Sequence, residues 1–266
     1  MAKISLVVSD VDGTLVTPDK ELTEASERAV RLLNEQGIGF TVVSSRPPNG
    51  LRMLIEPLSL RLMLGAFSGS TIVSPTLEVI ESHYVPEPAA RKSAELLADF
   101  SADIWLYTTE GWLVRDTGGH YIAREERTIQ AGPIVVDDFD PYFARTSKIV
   151  GSSQDFAKLA QCEGAMRKEI GEQAFVVRSQ AYYLDVTPPG LDKGTFVETL
   201  SQRLAIPLEA IAVLGDMDND VAMFRKAGMS IAMGNASPEV KSQAEYVTTA
   251  NTEDGFAAAI EQYVLD

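Results

Sequence analysis

Ser9-Asp10-Val11-Asp12-Gly13-Thr14 follows a compact apolar run, Ile4 to Val8. The run is short and rich in β-branched residues, which predicts a buried strand with the acidic segment as the loop at its carboxyl end. Downstream, Thr23 is placed to cap a helix that carries Ala25, Ala29, Leu32 and Leu33 on one side, and Gly37 would stop it. Gly39-Phe40-Thr41-Val42-Val43 then reads as a second buried strand, broken by Ser44-Ser45-Arg46-Pro47-Pro48. Strand, helix and strand with short connections make a βαβ unit of a parallel sheet.

The last third repeats this grammar. A helix from Lys193 presents Phe196, Leu200 and Leu204, and a buried strand over Ile211–Leu214 ends in Gly215-Asp216. A short helix with Val221 and Phe224 inward comes next, then a strand over 230–233. Ser237-Pro238 has the form of an N-cap followed by proline at the first helical position. A strand over 246–248 and a helix from Glu253 complete the pattern. The middle differs: a helix over 86–100 with strands at 104–107 and 112–115, an irregular stretch, a strand at 148–150, a helix over 155–170, and strands at 175–178 and 182–186. Helix followed by paired strands, twice, predicts helices on one face of an antiparallel sheet. The expected fold is therefore α/β: a doubly wound parallel-sheet core over 1–84 and 188–266, with an inserted α+β domain over 85–187.

With 266 residues, 45% of them hydrophobic, the chain can bury a sizeable core. Its formal net charge of -15 argues against a nucleic-acid partner bound through a basic face. The same charge repels an anionic substrate, so a phosphate site here needs local positive charge. Cys162 is the only cysteine, which excludes an internal disulfide and a thiolate zinc site. After Met1-Ala2-Lys3 the apolar run is too short for a signal peptide, and no segment is long enough to span a bilayer. A cytoplasmic monomer or homodimer with no membrane partner is the expectation.

Ligands of open parallel sheets bind at the carboxyl ends of the strands. Those ends supply Asp10 and Asp12, then Ser44, then Asp216, with Lys193 at a helix start. Two carboxylates from one loop and a third from a distant strand suit Mg2+, which takes oxygen ligands and keeps water and phosphate in its shell. Taken singly, each residue has an ordinary structural reading: aspartates serve turns and caps, Ser44 a strand end, Lys193 a solvated helix surface. His83, His120, Trp105, Trp112 and Arg178 are read as solvated or packing residues.

The segments together resemble the haloacid dehalogenase-like (HAD) phosphatases. Asp10-Val11-Asp12-Gly13-Thr14-Leu15 is similar to the first motif, Ser44 to the second, Lys193-Gly194 to the third, and Gly215-Asp216-Met217-Asp218-Asn219-Asp220 to the fourth. Their order agrees, and the insertion between the second and third motifs resembles the type IIB cap of Cof-like sugar phosphatases. Likeness continues through Ala232-Met233-Gly234-Asn235-Ala236 and Asn251-Thr252-Glu253-Asp254-Gly255. The resemblance implies magnesium-dependent hydrolysis of a small phosphorylated metabolite through an aspartyl-phosphate on Asp10. It implies Asp12 as acid and base, and Lys193 as the cation that offsets charge on Asp10 and phosphate. Ser44, Ser45, Arg46 and Asn219 would bind phosphate. Asp10, the Asp12 carbonyl and Asp216 would hold Mg2+, with Asp220 nearby. Ser44-Ser45-Arg46 stands where relatives carry Thr-Gly-Arg, and Ser68-Gly69 where they carry Asn-Gly. A phosphotransferase or mutase using the same aspartyl-phosphate, and a phospho-accepting regulatory domain, are the alternatives.

Overall fold

A computed structural model describes residues 3–265; Met1 and Ala2, ahead of the first apolar run, lie outside the described residues. In chain order the elements are β1 (Leu6–Ser9), α1 (Glu24–Glu35), β2 (Gly39–Val42), α2 (Arg52–Ile55), β3 (Leu64–Ala66) and β4 (Thr71–Val73). Next come β5 (Val79–Ser82), α3 (Glu87–Asp99), β6 (Asp103–Thr108), β7 (Gly111–Val114), α4 (Ile122–Ile129), β8 (Ile134–Val135), β9 (Lys148–Ser152), α5 (Phe156–Ile170), β10 (Phe175–Gln180) and β11 (Tyr183–Thr187). The chain finishes with α6 (Lys193–Leu204), β12 (Ile211–Gly215), α7 (Val221–Phe224), β13 (Met229–Ala232), α8 (Pro238–Lys241), β14 (Tyr246–Val247) and α9 (Gly255–Ala259). Two compact units divide it: one takes the chain up to Ser45, Arg52–Glu78 and the chain from Asp192, the other Arg46–Leu51 and Val79–Leu191. The transfer of residues 46–51 to the second unit has no signal in the strand-and-helix pattern.

The first unit is built on a parallel sheet in the order β14-β13-β12-β1-β2. From β1 the chain goes one way to β2 and later the other way through β12 to β14. The strand order therefore switches direction between β1 and β12, where open α/β sheets place their ligands. Alternate residues of each strand face opposite sides. Leu6 and Val8 with Ile211 and Val213 pack on Phe196, Val197 and Leu200 of α6 and on Met223 and Phe224 of α7. On the other side Phe40 meets Phe256 of α9 edge to face, and α9 packs on α1. Within α1 the Thr23 side chain accepts the Ser26 N–H, and the buried stripe is Ser26, Ala29, Val30 and Leu33. Ala25 and Leu32 flank that stripe half-buried. In α7 the buried residues are Met223 and Phe224, and Val221 only lines the core. The final helix starts at Gly255 rather than Glu253, because Asp254 adopts a left-handed conformation ahead of it.

The second unit is a six-stranded sheet, β10-β11-β9-β6-β7-β8, antiparallel except for the β7–β8 pair. Leu106, Leu113, Ile149 and Leu184 on one face pack on Leu97 of α3 and on Leu159, Cys162 and Met166 of α5. On the other face Trp105 meets Trp112 edge to face and Tyr107 stacks on Trp112. The stretch read as irregular contains α4, eight residues long, with Ile122 and Ile129 buried and Glu125 accepting the Tyr107 hydroxyl. It has no side-chain N-cap and ends in a left-handed Gln130, so neither usual boundary marker is present in the sequence. His83 is exposed and bonds Glu81, while Arg178 pairs with Glu163. Among the described residues no helix is long and apolar enough to cross a membrane.

Candidate active site

Strand register brings the predicted residues together. Val42, Ser9 and Leu214 are Cα partners across β2, β1 and β12. The pairing runs one step further, Val43 N–H to the Ser9 carbonyl and Asp10 N–H to the Leu214 carbonyl. Asp10, Ser44 and Asp216 therefore leave the same edge of the sheet from adjacent strands. Ser44 is buried, its N–H bonded to the Gly65 carbonyl and its carbonyl to the Ser68 N–H, which ties it to the β3–β4 hairpin. Ser45 follows half-buried. Arg46 is buried and belongs to the second unit, where Nη1 donates to the Gly50 carbonyl at 3.0 Å.

Lys193 opens α6. Asp192 caps that helix with reciprocal bonds to Thr195, so the lysine stands at its first position, where the helix dipole disfavours a cation. Two carboxylates reverse that preference. Lys193 Nζ lies 2.5 Å from Asp10 Oδ1 and 2.6 Å from Asp220 Oδ1, all three side chains buried. A Cβ on Gly194 would stand 2.5 Å from the Ala222 carbonyl oxygen, so a glycine there lets α6 approach α7 closely enough to deliver the lysine. Asp220 Oδ2 accepts the N–H groups of Asp216 and Met217. Asp220 thus joins the lysine to the loop that carries Asp216.

Asp216 accepts hydrogen bonds from Thr14 and from Asn235, both 3.2 Å long. Asn235 also donates to the Gly13 carbonyl and accepts the Asn251 N–H. Gly13 has φ +91, and a Cβ there would sit 2.3 Å from Asp216 Oδ2. The glycine of the first motif is therefore a requirement of both backbone conformation and carboxylate packing. Asp12 pairs with Lys20 at 2.7 Å, from a loop closed by the Val11 carbonyl, which accepts the N–H groups of Thr14, Leu15 and Val16. Lys20, Asn235 and Thr14 have no assigned role in the sequence reading. Nothing in Pro18-Asp19-Lys20-Glu21 marks one lysine as a partner of Asp12.

Ligand oxygens of Asp10, Asp216 and Asp220 lie within 4.8 Å of one another, all three residues buried. Three carboxylates face one ammonium, and such an excess of buried negative charge is stable only with a proton or a cation. Burial, then the Asp220 and Asp216 carboxylates, raise the Asp10 pKa against the pull of Lys193. Burial and Asp220 push Asp216 up to about 7. Asn219, between them in the loop, has a buried Oδ1 with no hydrogen-bond donor among the described residues. Hard oxygen donors with surplus negative charge fit Mg2+.

The sequence profile of the haloacid dehalogenase-like hydrolases matches residues 7–260. The chain belongs to this family. As a haloacid dehalogenase-like hydrolase it has relatives of the same length. A putative phosphatase of Haemophilus influenzae is 28% identical, over 96% of this chain and 97% of that protein. A 5-amino-6-(5-phospho-D-ribitylamino)uracil phosphatase of Bacillus subtilis is 26% identical, over 98% of this chain and 96% of that protein. The fold is shared with a solved HAD subclass IIB sugar phosphatase at a TM-score of 0.85 and 20% identity, covering 98% of this chain and all of that one.

The raised Asp216 pKa has a consequence for stability. In the folded, metal-free hydrolase this carboxyl keeps its proton until about pH 7, whereas the unfolded chain releases it near 3.8. The stability it contributes is complete below the lower value and is lost as pH rises through the upper one. A cation that takes the ionised form reverses the loss. Saturating Mg2+ should therefore raise Tm more at about pH 8 than at about pH 5.5, and Asp216→Asn should erase the difference. Differential scanning calorimetry at the two pH values checks this; equal shifts in the wild type would contradict it.

Proposed function

We propose that this hydrolase removes phosphate from a small phosphate monoester, with Asp10 as nucleophile and Mg2+ as cofactor. The observation that carries the reading is the buried bridge of Lys193 between Asp10 and Asp220, beside Asp216. Asp10 attacks phosphorus in line with the leaving oxygen and forms an aspartyl-phosphate, which divides one difficult displacement into two easier ones. Asp12 gives a proton to the leaving oxygen, then takes one from the water that hydrolyses the intermediate. Lys193 holds the Asp10 carboxylate in place and offsets charge as phosphate arrives. The Ser44 hydroxyl, Ser45, Arg46 and Asn219 bind the transferring group. The Asp10 and Asp216 side chains and the Asp12 carbonyl would hold Mg2+, with Asp220 nearby, and the bound ion would supply charge stabilisation for phosphoryl oxygens. These positive groups meet the requirement set by the net charge of -15.

The second unit is the proposed specificity domain. The B. subtilis relative is named for a substrate phosphorylated on a ribityl chain, which supports an alkyl phosphate of a polyhydroxylated metabolite as the substrate class here. A panel of sugar, polyol and coenzyme phosphates, assayed for free phosphate with Mg2+ and with EDTA, tests the reading. Release that depends on Mg2+ from at least one alkyl phosphate is expected. No release from any of them sinks the proposal. Phosphoryl transfer to an added sugar in place of release would make the chain a phosphotransferase.

A further inference from the structure

We propose that Asn235 is a positioning residue for the metal ion: its amide fixes the plane of the Asp216 carboxylate and ties it to the loop that follows Asp12. The inference rests on the reading of Asp216 as a Mg2+ ligand.

Asn235 stands in the turn after β13, on a backbone with little freedom. Gly234 donates its N–H to the Thr249 carbonyl, and a Cβ on it would stand 2.6 Å from the Ala250 nitrogen. Lys241 Nζ holds the Gly234 carbonyl at 2.6 Å. From this turn Asn235 Nδ2 donates to the Gly13 carbonyl at 2.9 Å and to Asp216 Oδ2 at 3.2 Å, while Oδ1 accepts the Asn251 N–H at 3.0 Å. The neighbours fix which end of the amide is which: a backbone N–H only donates, and a carbonyl and a carboxylate only accept. Asn235 is exposed, so water could satisfy the same groups. Ordering an exposed side chain costs conformational entropy, and burial does not account for committing both of its polar atoms to protein partners.

Asp216 depends on such a partner more than the other two carboxylates do. Asp10 and Asp220 each accept the Lys193 ammonium, and Asp220 Oδ2 also takes two backbone N–H groups. The Asp216 side chain has two neutral donors, Thr14 Oγ1 on Oδ1 and Asn235 Nδ2 on Oδ2. One donor on each oxygen sets the plane of the carboxylate. Each bond uses one lone pair of its oxygen and leaves another for an ion, so both are compatible with a bound metal. Both donors also lead back to one loop: Thr14 belongs to it, and Asn235 is anchored on Gly13. A separate tie, Asn251 Nδ2 to the Val16 carbonyl at 2.8 Å, holds the same loop without touching Asp216. Outer partners that orient a ligand carboxylate set metal affinity. Asn235 acts only through Asp216 and the Gly13 carbonyl.

The test is Mg2+ binding to the whole chain, measured by isothermal titration calorimetry well below the Tm of each variant. Titration at about pH 8 keeps Asp216 ionised. Asn235→Ala should weaken Kd about 10- to 100-fold. Asn251→Ala removes the Val16 tie and keeps the backbone N–H that Asn235 accepts, so its Kd should change less than about threefold. Equal losses in the two variants would assign the effect to holding the loop and would overturn the proposal. The wild type supplies a readout that needs no variant, the side-chain amide resonances of Asn235 in nitrogen-labelled protein. Their protons should exchange slowly with water in EDTA and their shifts should move on addition of Mg2+. Resonances indifferent to Mg2+ would overturn the proposal as well. If the wild type binds no Mg2+, the metal reading fails and Asn235 with it. If the wild type binds and Asn235→Ala binds as tightly, the Asn235 proposal fails alone.

Discussion

Asp10→Asn should release no measurable phosphate and should be at least as stable as the wild type without metal. The substitution keeps shape and removes only the nucleophilic oxygen's charge, so loss of the covalent route should cost on the order of 10⁴-fold or more in kcat. Stability moves the other way. Asp10 is buried, and burial together with Asp220 and Asp216 makes its ionised form expensive. Lys193 offsets part of this, and in the variant it retains Asp220 at 2.6 Å. An amide at position 10 can still accept a hydrogen bond from the lysine while no longer repelling two carboxylates. The gain should be clearest at about pH 8 in EDTA, where the wild type has to carry the cluster ionised. Active sites commonly hold such stability in reserve. Phosphate release and thermal melting on one preparation check both halves. Activity within tenfold of wild type would remove Asp10 from the mechanism; a Tm several degrees lower would mean that the Lys193–Asp10 bond outweighs the burial of charge.

The parts of this molecule legible in its sequence are those where one local signal has one structural meaning. The run before Asp10 is a buried parallel strand because apolar residues on both faces leave it no solvent side, and Thr23, Asp155 and Ser237 cap helices with their own side chains. Three of the four motifs could be placed at one sheet edge because parallel strands end in register, and the remaining one, Lys193, opens helix α6. What was not legible depends on contacts between distant segments. Helix α4 is held by Ile122, Ile129 and the Tyr107–Glu125 bond rather than by caps. Asn235 has no legible role until the fold carries it beside Gly13 and Asp216, and no local signal marks the pairing of Lys20 with Asp12.

Lys193→Met should be the most destabilising single change at this site, by about 3–5 kcal/mol, which corresponds to roughly 10 °C in Tm. Burial pulls the ammonium toward neutrality, but Asp10 and Asp220 outweigh it and raise its pKa. Removing it leaves Asp10, Asp216 and Asp220 buried without a cation, and an uncompensated buried charge costs far more than an intact pair contributes. The sign with pH follows. With the lysine gone the carboxyls hold protons to higher pH in the folded state than before, so stability in EDTA should fall more steeply between about pH 5 and about pH 8 than in the wild type. Mg2+ should raise the variant's Tm more than the wild type's, because the added charge replaces part of what was lost. Catalysis should fall about 10²- to 10³-fold even when the protein is folded, as expected for loss of a preorganised charge at a reacting group. Urea unfolding in EDTA measures the first effect, and a loss under about 1 kcal/mol would show that Lys193 is dispensable to the fold. The double variant with Asp10→Asn separates charge from packing. If the cost is uncompensated carboxylate, the pair should be more stable than Lys193→Met alone; if it is the lysine stem's packing, adding Asp10→Asn should recover nothing.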